Sequence, residues 1–198
     1  MAPLLIALSG RSGSGKTALA RGLLKTFSNQ DIRMLTSSTT RTPRPSDLPN
    51  EYEHLSPEVF EATKTSGEFL WTAGMGETKY GTKRSGFMDA CKVGLTLLIL
   101  TPETLPIVWS EAHKVLPTPT LLFFFLEVAD EAVLHKRLTA RDGAEAARLR
   151  MELDTSWPDY IQNMGIPYAT LASTEEPHVV LEKATALIKK KLTSLQPE

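Results

Sequence analysis

The stretch Gly10-Arg11-Ser12-Gly13-Ser14-Gly15-Lys16-Thr17 has the spacing G-x-x-x-x-G-K-T, and its residue types suit one chemistry, the binding of a polyphosphate. Glycines let successive backbone N–H groups turn inward around an anion, a lysine at this position reaches the β and γ oxygens, and the hydroxyl that follows it helps to hold Mg²⁺. The helix expected to open at Lys16 would aim the positive end of its dipole at the same anion. Gly10, Ser12, Gly13, Ser14, Gly15, Lys16 and Thr17 are therefore candidates for ATP binding, with Lys16 also catalytic and Thr17 the Mg²⁺ ligand.

A second cluster lies in Ser37-Ser38-Thr39-Thr40-Arg41-Thr42-Pro43-Arg44-Pro45. Guanidinium forks bind phosphate bidentately and hydroxyls add neutral donors, so this stretch suits a second phosphate opposite the first. A solvated basic linker is the other reading of the same residues. Farther along, Arg137 and Arg141 stand at i and i+4 and share one helix face.

These residues need a frame. Leu4–Leu8 reads as a strand entering the glycine loop, and residues 16 to about 27 carry apolar residues at helical spacing. A short strand is expected at Met34–Thr36, followed by a segment from Ser37 to Asn50 with no regular structure, because Pro43, Pro45 and Pro49 each remove a backbone donor. Ser56-Pro57-Glu58 has the make-up of a helix start, and that helix should end near Gly67. Phe69–Ala73 looks extended, Gly74 and Gly76 mark a turn, and Lys79–Thr82 leads to a helix through Phe87 and Cys91. Thr96–Leu100 and Thr120–Leu126 are apolar enough for strands buried on both faces. Helices are expected from Asp130 to Arg141, as one piece from Ala144 to about Ile161, and from Pro177 to Leu192.

Short strands alternating with longer helices predict an α/β domain, a mainly parallel sheet flanked by helices. One domain over residues 1–198 is expected, with a core of 1–36 and 94–198, an inserted acceptor-binding lobe at about 37–93 and a lid at about 137–155.

The composition fits an ordinary globular chain, with 198 residues, 41% hydrophobic and a formal net charge of -1. Near-neutral charge argues against a nucleic-acid partner, and the longest apolar runs, Leu95–Leu100 and Leu121–Leu126, argue against a membrane one. The single cysteine, Cys91, excludes an internal disulfide, and His54, His113, His135 and His178 lack metal-ligand spacing. A cytoplasmic protein, monomeric or homodimeric, is the expectation.

Taken together, the glycine loop, Ser37 to Arg44, Tyr52, Glu68-Phe69, Tyr80-Gly81-Thr82 and Lys136-Arg137-Leu138 with Arg141 resemble the guanylate kinase family. The resemblance implies a P-loop NTPase-type fold and transfer of the ATP γ-phosphoryl group to a nucleoside monophosphate, usually GMP, with Mg²⁺. It implies further that Arg41, Arg44, Tyr52 and Tyr80 hold the acceptor phosphate and that Ser37, Trp71 and Thr82 lie on the acceptor side. Arg137, Arg141 and Arg148 or Arg150 would neutralise the transferred group from a closing lid, with Arg41, Arg137 and Arg148 taken as catalytic. Ser173 falls where the family places an asparagine beside adenine.

Two departures stand out. Trp71 occupies the position of a glutamate that reads guanine in the family, and an indole offers one donor where a carboxylate accepts two hydrogen bonds. The third strand runs into Thr101-Pro102-Glu103 instead of ending in acids, so Glu103 is either a shifted substitute or a first-turn acid of the next helix. A weaker resemblance to ribose 1,5-bisphosphate phosphokinases implies a sugar phosphate acceptor. One to guanylate-kinase-like scaffold domains implies a binding module, although those typically have a degraded P-loop.

Overall fold

The computed structural model describes residues 3–92, 94–116, 120–128 and 130–195. Its organising strand, β1 (Leu4–Ser9), is buried along its whole length. It pairs in parallel with β7 (Leu95–Ile99) on one side and β8 (Leu121–Glu127) on the other, in registers that set Ile6 against Leu97 and Leu122. With β2 (Ile32–Met34) and β9 (Ala169–Ala172) at the edges, the parallel sheet has the order β2-β7-β1-β8-β9.

Side-chain alternation divides the apolar run of β1 between two cores. Leu4, Ile6 and Leu8 join α1 (Lys16–Thr26) and α8 (Pro177–Ser194) on one face. Leu5 and Ala7 join α3 (Arg84–Ala90), α4 (Leu105–Val115), Phe123 and Phe125 on the other. Burial on both faces is why the strand is continuously apolar where a half-exposed strand would alternate.

A second sheet, with the order β4-β3-β6-β5, is built from β3 (Ser37–Thr39), β4 (Tyr52–His54), β5 (Phe69–Met75) and β6 (Thr78–Lys83). Between β4 and β5 runs α2 (Pro57–Thr65), whose N-cap Ser56 accepts from the Val59 amide. The strand β3 corrects the expectation that regular structure is absent from Ser37 onward. Its polar residues are buried, but each hydroxyl has a partner: Ser37 with Thr82, Ser38 with Glu53, Thr39 with the Lys79 carbonyl. The prolines act only after Thr39. β2 begins two residues before the expected strand at Met34–Thr36, although Leu35 still donates to the Leu97 carbonyl.

After β8, α5 (Glu131–Asp142) is capped by Asp130, whose side chain accepts from the Ala132 amide. Gly143, with φ 86°, then turns the chain into α6 (Ala144–Leu153), which packs back on α5. The expected single helix from Ala144 to Ile161 is two helices, because α7 (Trp157–Asn163) starts afresh after Asp154–Ser156. Pro158 is the physical cause: its ring would collide with the carbonyl four residues back, so it stands in the first turn of α7. β9 was not foreseen in the sequence. Among the described residues no helix is long and apolar enough to cross a membrane.

Phe124 is fully buried in β8, within the core that also holds Leu4, Ile6 and Leu23. Phe124→Ala should lower the unfolding free energy by about 3–5 kcal/mol, read as a shift in the urea midpoint at unchanged slope.

Candidate functional site

The carboxyl ends of the parallel strands face a cavity of about 320 Å³, the place where open α/β sheets take their ligands. Its floor is the loop from Ser9 to Lys16. Gly10 has φ 142° and a Cβ there would fall 2.5 Å from the Leu126 carbonyl oxygen, so β8 admits only glycine. Gly15 is left-handed at φ 93° and forms the N-cap of α1, which lets the chain turn into the helix with Lys16 and Thr17 toward the cavity.

Lys16 Nζ donates to the Gly10 carbonyl at 2.5 Å and the Arg11 carbonyl at 3.0 Å. Burial pushes its ammonium down to about 8, with Arg141 and Arg150 pushing the same way and Asp154 opposing them. Two clasps hold the loop from outside. The Ser14 carbonyl accepts from the Ser173 hydroxyl, and Arg137 spans the gap by donating to the Gly13 carbonyl at 3.3 Å and the Ser173 carbonyl at 3.1 Å. On the other side the Asp154 carboxylate accepts from the Ser12 amide at 2.6 Å and Arg11 Nε at 2.9 Å. Arg11 also pairs with Glu131 and donates to the Met151 carbonyl, so α5 and α6 are both tied to the loop.

The opposite wall comes from the second sheet. Arg41 donates to Asp47 at 2.7 Å and lies 5.0 Å above the Tyr52 ring. Burial alone would lower the Arg41 pKa, and the Asp47 pair outweighs it, so the net direction is up. Asp47 also accepts from the Arg44 amide at 2.9 Å, which closes the turn, and His54 Nδ1 lies 2.7 Å from the Arg41 carbonyl. Burial, with Glu51 beside it, keeps the Tyr52 phenol protonated far above its ordinary range. Tyr80, Ser37 and Trp71 complete this wall. The Trp71 indole N–H is buried without a partner.

The α5–α6 hairpin closes the third side. Arg137, Arg141 and Arg150 face the cavity. Arg148 does not: it lies on the outer surface, paired with Glu152 at 2.6 Å, and Arg150 stands in the place assigned to it. Two residues along a helix is a rotation of more than half a turn, so only one of the pair can point inward. Thr82 is fully buried behind Ser37, which it meets at 3.2 Å. Ser14 keeps its hydroxyl buried and unpartnered, below the cavity floor. Glu103 is exposed and outside the cavity, whereas Thr101 lines it and keeps its hydroxyl buried without a partner. Among the described residues no group of three or more His, Cys, Asp or Glu could hold a metal ion.

Asp154, Glu131, Thr101, His54 and Trp157 are among the side chains here that sequence reasoning did not place. Arg11 and Asp154 are 143 residues apart, so spacing carried no signal of their pairing. What the assembled walls can do is hold two phosphate groups, one on the loop amides and Lys16, one on the arginine turn.

A sequence model described as Guanylate kinase matches residues 3–153. The guanylate kinase of Hyphomonas neptunium is 33% identical over 155 residues, covering 75% of this chain and 67% of that protein. The one from Chlamydia abortus is 33% identical over 154 residues, covering 76% and 71%. Among solved structures, the guanylate kinase of Anaplasma phagocytophilum superposes with a TM-score of 0.63 at 16% identity, over 96% of this chain and 86% of that one. A sugar kinase from Janibacter sp. HTCC2649 superposes at 0.52 and 13% identity, over 94% and 95%. At such identities the two superpositions speak to fold alone.

Asp154 is 1% exposed and is the buried partner of both Arg11 and the Ser12 amide. Asp154→Ala should cost about 1–3 kcal/mol of unfolding free energy, since it leaves the Ser12 amide and Arg11 Nε without their acceptor while Glu131 still pairs with the guanidinium, and chemical denaturation would read it directly.

Proposed function

The chain belongs to the guanylate kinase family, and we propose that it transfers the γ-phosphoryl group of ATP to GMP, giving GDP and ADP. The observation that carries this reading is the pairing across one cavity of the loop Gly10–Thr17 with the Arg41–Arg44 turn. Phosphoryl transfer has a loose transition state and asks a protein mainly for alignment and charge neutralisation, so no covalent nucleophile is required.

In this reading the loop amides and Lys16 grip ATP, exchanging the Gly10 and Arg11 carbonyls at Lys16 Nζ for phosphate oxygens. Arg41 and Arg44, with Tyr52 and Tyr80, hold the acceptor phosphate, and Ser37, Trp71 and Thr82 form its base side. Arg137, Arg141 and Arg150 close over the transferring group from the α5–α6 hairpin, which acts as a lid and excludes water. For Mg²⁺ the fitting oxygens are the Thr17 hydroxyl and the unpartnered Thr101 hydroxyl, the remainder coming from phosphates and water. When bound, the ion neutralises charge on the β and γ oxygens. A cytoplasmic enzyme is the consistent setting.

At the base side the donor-only indole of Trp71 can serve an acceptor atom such as guanine O6, while Glu51, the carboxylate lining this wall beside Ser37 and Tyr52, already accepts from the Leu48 amide. A coupled ADP-release assay with Mg·ATP and GMP, IMP or AMP tests the assignment, with Lys16→Ala as blank. Turnover of GMP is expected and should fall by at least about 10²-fold in the variant; GMP left unphosphorylated by the native chain would overturn the reading.

The depressed Lys16 adds a pH signature. Burial favours its neutral form, whereas bound phosphate favours the charged one, so below about pH 8 the ammonium is already in place. Above it, ATP binding must draw in a proton and affinity should fall by up to about tenfold per pH unit. Calorimetry at pH 8.5, as an order-of-magnitude choice just above that value, in buffers of different ionisation heat should register proton uptake that Lys16→Ala lacks.

A further inference from the structure

Asp142, the last residue of α5, gathers three arginines from three places in the chain. Its carboxylate accepts from Arg141 Nη2 at 2.7 Å and Nε at 3.1 Å, and pairs with Arg150 Nε of α6 at 3.2 Å. It also pairs with Arg44 of the β3–β4 loop at 3.3 Å. All three guanidiniums line the cavity, yet the Asp142 side chain is only 7% exposed and does not line it.

That placement has two consequences. Burial is the main cause that lowers the Arg44 pKa; Asp142 opposes it, and Arg41, Arg150 and Arg141 each push it further down by repulsion within the cluster. Asp142 is only 7% exposed, so its own charge is weakly screened, whereas the guanidiniums around it are part-exposed, from 17% at Arg150 to 39% at Arg141. Each guanidinium has five N–H donors and Asp142 takes one or two from each, so the others remain for a ligand. The same carboxylate ties the hairpin end of α5 to the loop that carries Arg44. α6 also meets the second sheet where Arg150 Nη1 touches Met75 Sδ at 3.5 Å and where Leu149 approaches Gly76.

We propose that Asp142 is a positioning residue: it converges Arg44, Arg141 and Arg150 on one point of the cavity and holds the α5–α6 hairpin over the acceptor loop before any phosphate arrives. It sits behind the guanidiniums and touches no reacting atom. The catalytic part rests on the kinase reading above; the spatial part does not.

Two measurements separate those parts. Spin labels on exposed Lys64 of α2 and Glu145 of α6, in a Cys91→Ser background, report hairpin-to-lobe distance in the ligand-free protein. A narrow distribution is expected for the native sequence and a broader, longer one for Asp142→Asn; identical distributions would overturn the proposal whatever the enzyme's acceptor is. In the ADP-release assay, Asp142→Asn should lower kcat by about 10²-fold, the size of effect a displacement of about 1 Å produces. KM for ATP should stay within about threefold, and Asp142→Glu should recover part of kcat. Unchanged or raised kcat with a lower acceptor KM would make Asp142 a competitor of the acceptor phosphate and sink the positioning role. Should Asp142→Asn fail to fold, Arg44→Gln severs the same tie from the loop side, and an unaltered distance distribution would count equally against it.

Discussion

Concentrating positive charge is the constraint on which the rest of this structure depends. Lys16, Arg41, Arg44, Arg137, Arg141 and Arg150 all face one cavity of about 320 Å³. A site ready for two phosphate groups must hold such charges together when no phosphate is there, against repulsion and against desolvation. The protein does so with carboxylates set behind or beside the cations: Asp47 on Arg41, Asp142 on Arg44, Arg141 and Arg150, and Asp154 near Lys16. Each is well buried in its side chain, so the pairing acts where screening is weak.

Those carboxylates also serve as joints. Asp47 closes the arginine turn on its own backbone, Asp154 fixes the end of α6 to the glycine loop, and Asp142 joins the α5–α6 hairpin to the second sheet. The parallel sheet and the Trp71 side of the second sheet are positioned by strand pairing and apolar packing. The arginine turn, the end of α6 and the hairpin end of α5 carry in addition ionic contacts that a phosphate could compete with. Apolar contacts would give the same closure at less desolvation cost, but they would not respond to an incoming anion.

The glycine loop was legible in the sequence because its requirements are local: left-handed backbone, no Cβ at Gly10, a lysine opening a helix. The arginine turn was legible for the same reason. What misled sequence reading were properties set across the fold. Ser37–Thr39 looks like loop until β4 and β6 supply partners for its hydroxyls and backbone. Arg148 and Arg150 are both near the right place, and only the phase of α6 against the second sheet chooses Arg150. Pro158 was visible in the chain, but the helix expected from Ala144 to Ile161 ran through it where there are two. Asp154 shows no recognisable paired partner in the sequence and Asp142 carries no signal there, since their partners lie up to 143 residues away.

The two ends of the cavity differ in kind, and that difference bears on selectivity. At the phosphate end, ionic contacts over-determine where an anion can sit. At the other, Ser37, with Thr82 buried behind it, and Trp71 offer a hydroxyl and one indole N–H. Trp71 is also core, packed in the cluster with Leu70, Phe87 and Leu100. A carboxylate in its place would be desolvated among those residues and would have to recover that cost from a ligand's N–H groups. The indole carries no such cost, and for the same reason it exerts little pull on a purine's donor edge. Under the proposed kinase reading, recognition leans on the phosphate, with the base end contributing shape, the Ser37 hydroxyl and the buried indole donor.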